Sequence, residues 1–186
     1  MNLVDKVIRN THKLEYYLYN HDYLHKSNLF LPDFLGVGVQ KAGTTWLSEN
    51  MRCHPEMYLP EEKELEFFSP KFDKGLKYYS DKFKDSGAKF KGEISPNYCT
   101  LREEVIQYMQ SLIPDAKIIL LLRNPVERSW SATIMKLVKE PGLNLEDIDE
   151  QDFLDHFNST HILKQSTYSN IIETWRKYFN KNQIYI

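Results

Sequence analysis

Phe34-Leu35-Gly36-Val37-Gly38-Val39-Gln40-Lys41-Ala42-Gly43-Thr44-Thr45-Trp46-Leu47 is the stretch around which the rest of the chain is organised. Its first six residues are apolar or glycine, a run of the length expected for a buried strand. Gln40 to Gly43 reads as a tight turn. Thr44 then opens a helix that runs to about Cys53 and stops before Pro55. A strand, a tight turn and a helix start make an anion site, because the first helical N–H groups lack partners and the helix dipole is positive there. Gly43 lets the main chain approach a ligand. Thr44 and Thr45 can cap the helix or offer hydroxyls to a phosphate, and Lys41 adds a cation beside them. On these residues alone, an ordinary capped helix after a strand is the competing reading.

The segment is not the GxxxxGK[ST] loop of the ATPases. Lys41 stands two positions before Gly43 instead of directly after it. The strand placed to supply a magnesium carboxylate, Lys117 to Leu122 (KIILLL), ends in Arg123 and not in Asp. Both departures weigh against a kinase or ATPase. KIILLL is the clearest strand, a continuous Ile/Leu run of the kind covered on both faces in a parallel sheet. Arg123-Asn124-Pro125 ends it, and a helix follows from about Val126 to Lys139, broken by Pro141-Gly142. Ser131 stands eight positions after Arg123. A guanidinium at a strand end and a hydroxyl on the next helix can hold a second phosphate together. Arg123 paired with Glu127 is the alternative at even weight.

Further out, helices are predicted at Gly75–Phe83, Leu101–Leu112, Asp152–Phe157 and Tyr168–Phe179, strands at Lys89–Ser95 and Gln183–Ile186, and a Glu- and Lys-rich loop over 56–73. Strands alternating with helices predict an α/β domain with a mostly parallel central sheet. In such sheets ligands sit beyond the carboxyl ends of the strands, where both candidate sites fall. The expected division is a helical leader over residues 1–32 and one domain over 33–186.

The 186 residues are enough for one domain, and the 41% hydrophobic and 13% aromatic content is enough for a core. Twenty-four Lys and Arg against 26 Asp and Glu give a net charge of −2, which argues against a dedicated nucleic-acid binder. The two cysteines, Cys53 and Cys99, form no CxxC pair. They exclude a disulfide scaffold and a Cys-rich zinc module, and are expected to be buried, inert thiols in a reducing compartment. No apolar run approaches the ~18 residues of a membrane span and the first residues carry no signal-peptide core. The expectation is a soluble, cytoplasmic protein. His21-Asp22-Tyr23-Leu24-His25 has two His at zinc-helix spacing but no third ligand nearby, so no metal is expected. The Tyr16–Tyr23 cluster reads as packing surface.

Taken together, the two sites resemble the phosphate motifs of sulfotransferases that use 3′-phosphoadenosine 5′-phosphosulfate (PAPS). FLGVGVQKAGTTWL is similar to their 5′-phosphosulfate loop, and KIILLLRNPVERSWS to their 3′-phosphate motif, including the Arg-to-Ser spacing. Between and after them, His54-Pro55, Glu64-Leu65-Glu66-Phe67-Phe68, Gly75-Leu76-Lys77-Tyr78-Tyr79, Glu93-Ile94-Ser95-Pro96-Asn97-Tyr98 and the Tyr168, Trp175, Phe179 helix resemble landmarks of the Golgi-type carbohydrate enzymes and their bacterial relatives. The resemblance covers about residues 33–186.

What it implies is a P-loop-like three-layer α/β/α fold and sulfuryl transfer from PAPS to a hydroxyl or amine, without metal, leaving adenosine 3′,5′-bisphosphate. The acceptor class, whether glycan, lipid, peptide or small metabolite, stays open. By the resemblance, Lys41, Ala42, Gly43, Thr44 and Thr45 hold the 5′ end of the donor, with Lys41 serving the leaving group. Arg123 and Ser131 hold the 3′-phosphate. Trp46 stacks on adenine, or is a core aromatic. Glu64 is the general base, with Lys63 a substrate contact or a solvated charge. Glu66 and Ile94 depart from the glycan-type pattern, which often has His or Gln and Lys at those positions. A nucleotide kinase and a catalytically degenerate nucleotide-binding module are the rival readings. Such enzymes usually continue past the strand at Gln183–Ile186, so the expected length is that of an N-terminal fragment.

Overall fold

The computed structural model describes residues 29–84 and 87–186. The expected leader, with its tyrosine cluster and the His21/His25 pair, lies outside them apart from residues 29–32. Five strands form one sheet: β1 (Phe34–Gly38), β2 (Met57–Tyr58), β3 (Phe90–Ile94), β4 (Lys117–Leu120) and β5 (Ile184–Tyr185). Their order is β2-β3-β1-β4-β5 and every pairing is parallel. Among the described residues the α-helices are α1 (Thr44–Arg52), α2 (Gly75–Asp81), α3 (Glu103–Leu112), α4 (Pro125–Ile134), α5 (Glu150–Phe157), α6 (Thr160–Ser166) and α7 (Tyr168–Arg176). A π-helical turn, Met135–Lys139, extends α4.

Alternation along β1 sorts its side chains to two sides of the sheet. Leu35, Val37 and Val39 join Ile118 and Leu120 of β4 in the main core, under Leu76 and Tyr79 of α2, Val105, Met109 and Leu112 of α3, and Ile171 and Trp175 of α7. Phe34, Ile94 and the half-buried Ile119 pack with Leu47 and Met51 of α1. This is the three-layer, P-loop-like α/β/α arrangement the sequence predicts. Apolar neighbours on both faces of β4 explain why Ile118, Ile119 and Leu120 are all apolar.

A block of short helices stands beside α4. Arg128, 0% exposed, donates to Ser166 (2.8 Å), Gln165 (3.3 Å) and the Ile162 carbonyl (3.0 Å), fastening α4 to α6. Trp130 packs on Phe153 of α5 at 4.8 Å between ring centroids.

Four expectations are corrected. Cys53 is exposed, because α1 ends at Arg52 and turns it outward; only Cys99 is buried, which pushes its thiol up to about 12. Trp46 is 68% exposed and is no core aromatic. Residues 56–73 include the edge strand β2, and α6 occupies a segment for which no helix is predicted.

Candidate functional site

Strands β1 and β4 are neighbours, yet the chain leaves them in opposite directions, toward β2 and β3 from one and toward β5 from the other. That is a topological switch point, where a crevice opens at the carboxyl ends. Two main-chain bonds extend the pairing to the crevice floor: Val39 N–H to the Leu121 carbonyl (3.0 Å) and Leu121 N–H to the Gly38 carbonyl (2.7 Å). Arg123 Nη1 then reaches the Lys41 carbonyl at 3.4 Å, so the two loops touch. Tyr168 Oη donates to the Arg123 carbonyl at 2.7 Å and ties the end of the second loop to α7.

Gly43, at φ 95°, is the N-cap of α1; no side chain caps the helix and no acid lies in its first turn. The competing reading of Thr44 and Thr45 as cap residues is therefore not realised, and the positive end of α1 faces the crevice uncompensated. Lys41 sits at φ 70°. Among the described residues, its Nζ hydrogen-bonds only a weak acceptor, Met135 Sδ, at 3.5 Å. Burial lowers the pKa of its ammonium, and Lys139, Arg123 and Lys63 push it further the same way. Several cations converging on one point form a field that an anion relieves.

A cavity of about 360 Å³ joins these groups. Lys41, Gly43, Thr44 and Thr45 line it from the first loop, Arg123, Ser131 and Met135 from the second, and Lys63 and Glu64 from the segment after β2. Ala42 and Trp46 do not: Ala42 packs on the core and Trp46 projects outward. Arg123 gives both Nε (3.2 Å) and Nη2 (3.1 Å) to Glu127 Oε2, so the Glu127 pairing is present alongside the cavity contact. An exposed i,i+4 pair of this kind contributes about 0.3–0.5 kcal/mol. A bidentate phosphate outcompetes it.

Of the acidic cluster at 61–66, Glu64 is the member that lines this cavity. Glu62 is held elsewhere by Lys71 and Lys82, each at 2.7 Å, and those two hydrogen bonds bring its carboxyl down to about 2. Glu66 accepts from Asn97 Nδ2 at 2.6 Å. Lys63 bridges the halves of the site, with Nζ 2.7 Å from Thr45 Oγ1 and 3.7 Å from Glu64 Oε1. The contact from Lys63 to the helix start escapes sequence reading, because it joins positions eighteen apart with no local pattern between them. Glu93 enters the sequence pattern only within the Glu93–Tyr98 landmark; an acid at the buried end of β3 is the signal that sets it apart. Among the described residues, no group of three or more His, Cys, Asp or Glu is placed to hold a metal ion.

Residues 31–186 match the family model for the sulfotransferase domain. The chain is 34% identical over 107 residues to the membrane-associated sulfotransferase kil1 of Dictyostelium discoideum, covering 55% of this chain and 22% of that protein. It is 30% identical over 163 residues to human heparan sulfate glucosamine 3-O-sulfotransferase 3B1, covering 83% of this chain and 40% of the other. A crystal structure of a sulfotransferase from Alicyclobacillus acidocaldarius superposes with a TM-score of 0.62 at 26% identity, over 83% of this chain and 71% of that one. The chain thus spans about a fifth to two fifths of the length of these curated relatives.

Proposed function

The chain belongs to the sulfotransferase domain family, and on that premise we propose that it moves a sulfuryl group from PAPS to a hydroxyl or amine acceptor. The relatives named for heparan sulfate glucosamine favour a glycan as the acceptor. One observation carries the reading: a single cavity is lined by cations from two strand ends, an uncapped helix start and the Glu64 carboxylate.

In the proposed step, the acceptor oxygen or nitrogen attacks sulfur in line. Its bond to sulfur forms as the bond from sulfur to the 5′-phosphate oxygen breaks, and Glu64 takes the acceptor's proton. Charge develops on the departing 5′-phosphate, where Lys41 and the N–H groups of α1 stand ready. Arg123 and Ser131 hold the 3′-phosphate, and the guanidinium fork suits that group. The products are adenosine 3′,5′-bisphosphate and the sulfated acceptor.

Isothermal titration with adenosine 3′,5′-bisphosphate, set against ATP with Mg²⁺, tests the donor assignment. The bisphosphate binds the wild type, and more weakly Arg123→Ala and Lys41→Ala. Preference for ATP–Mg²⁺ refutes the reading in favour of a kinase. Bisphosphate binding without transfer of labelled sulfate to any glycan, lipid or small acceptor points to a degenerate nucleotide-binding module.

A further inference from the structure

Behind the loop that carries Glu64 lies a buried carboxylate that the chemistry above does not use. Glu93, on β3, is 2% exposed. Three hydroxyls give it their hydrogens: Tyr79 (2.7 Å) and Tyr98 (3.1 Å) to Oε1, and Ser95 (2.7 Å) to Oε2. Two of these hydroxyls also accept. Ser95 Oγ takes the Glu66 N–H at 3.0 Å, and Tyr98 Oη takes the Phe68 N–H at 3.2 Å. A hydroxyl has one hydrogen and two lone pairs. With the hydrogen committed to Glu93, the lone pairs are left for the loop amides.

The loop needs that anchorage. Glu64 stands at φ 57° and Glu66 at φ 50°, in the left-handed region that residues other than glycine rarely adopt. Such conformations persist where the surroundings over-determine them. The anchors are the Glu66 and Phe68 amides, two and four residues beyond Glu64, both acting through Glu93.

We propose that Glu93 is a positioning residue for Glu64: its carboxylate fixes the polarity of the Ser95 and Tyr98 hydroxyls, which hold the main chain that presents Glu64 to the cavity. The proposal rests on Glu64 being the base. The groups facing Glu93 are Tyr79 from α2, Tyr98 from the turn after β3, and Glu66 from the loop. Arg52, Glu62, Lys63 and Glu64 share a narrow gap with it. Burial raises the Glu93 carboxyl to about 7 against the opposing pull of its three hydrogen bonds, and Glu66 adds to the rise. Below neutral pH a protonated Glu93 must itself donate, so one hydroxyl hydrogen turns away and the acid's proton competes with a loop amide for that hydroxyl's lone pairs.

Amide hydrogen exchange at Glu66 and Phe68, referenced to the amides of β4, reads this directly. Glu93→Gln puts an NH₂ where an acceptor stood. Protection of the two loop amides then falls about tenfold while β4 is unchanged. The wild type shows the same loss between about pH 8 and about pH 6, after correction for intrinsic exchange, and the variant does not. Tyr79→Phe removes a hydroxyl that holds no loop amide and leaves both amides protected. In a transfer assay Glu93→Gln lowers kcat with the affinity for adenosine 3′,5′-bisphosphate unchanged. Unchanged loop protection in Glu93→Gln, or an equal loss in β4, overturns the proposal. If the amides loosen but Glu64→Gln transfers sulfate normally, the assignment of Glu64 as base is what fails.

Discussion

Replacing Glu93 by Gln removes a buried charge that the fold carries above neutral pH, and the structure sets the size of the effect. The carboxyl stands at about 7 against an ordinary 4.5. A folded-state value above the unfolded one means that the native protein holds more protons between those limits. Stability therefore falls as pH rises through the window from about 4.5 to about 7. At about 1.36 kcal/mol per pH unit, the gap comes to about 3 kcal/mol. Gln does not titrate, so the stability of Glu93→Gln relative to wild type improves by about 3 kcal/mol from about pH 4 to about pH 8.5. Any fixed penalty from the mismatched amide cancels in that comparison. Urea unfolding followed by tryptophan fluorescence at five or so pH values measures it. A difference between the two proteins that stays flat with pH refutes the reasoning.

Further outcomes follow from other parts of the structure. Arg123→Ala loses charge-assisted bonds to the 3′-phosphate, a loss of about 2 kcal/mol or roughly thirtyfold in bisphosphate affinity by titration calorimetry. Glu127→Gln frees Arg123 from its pair and tightens the same affinity about twofold, an effect that disappears in high salt. In the native protein Cys53 reacts with a thiol reagent and Cys99 does not until the chain unfolds, given its burial and raised pKa. Trp175→Ala empties a fully buried site and lowers stability by about 3–5 kcal/mol in denaturant titration.

How legible this molecule is in its sequence depends on how local the determinant is. The strand at Phe34–Gly38, the turn at Lys41–Gly43 and the opening of α1 are written in adjacent residues and are found where the pattern predicts. The KIILLL run is found as the strand Lys117–Leu120, two residues shorter than predicted, with apolar packing on both faces. The edge strand Met57–Tyr58 is two residues long and held by its neighbour β3, so no period marks it. Helix Thr160–Ser166 is short and mostly polar, and is held by Arg128 from α4. Site residues behave likewise. Lys41, Thr44, Thr45, Arg123 and Ser131 can be picked out from motif spacing, and the cavity gathers them. The family motif singles out Glu64 in the sequence, but that Lys71 and Lys82 take Glu62 and Asn97 takes Glu66 is visible only in three dimensions. The network on Glu93 joins residues from β3, α2 and two loops, and no linear spacing encodes it.

The adjacency of β1 and β4 also governs how the chain acquires its site. Some eighty residues separate the loops that meet at Lys41 and Arg123, so neither loop can complete the cavity before the other arrives. Parallel pairing over that separation is slow to nucleate, since loop closure comes before any contact is gained. An anion seated across both loops acts as a reversible non-covalent clasp on this most distant pairing. At a hundred times its Kd it adds about 2.7 kcal/mol to the folded state. An anion that binds the native fold and not the unfolded chain is thereby a folding ligand for this pairing.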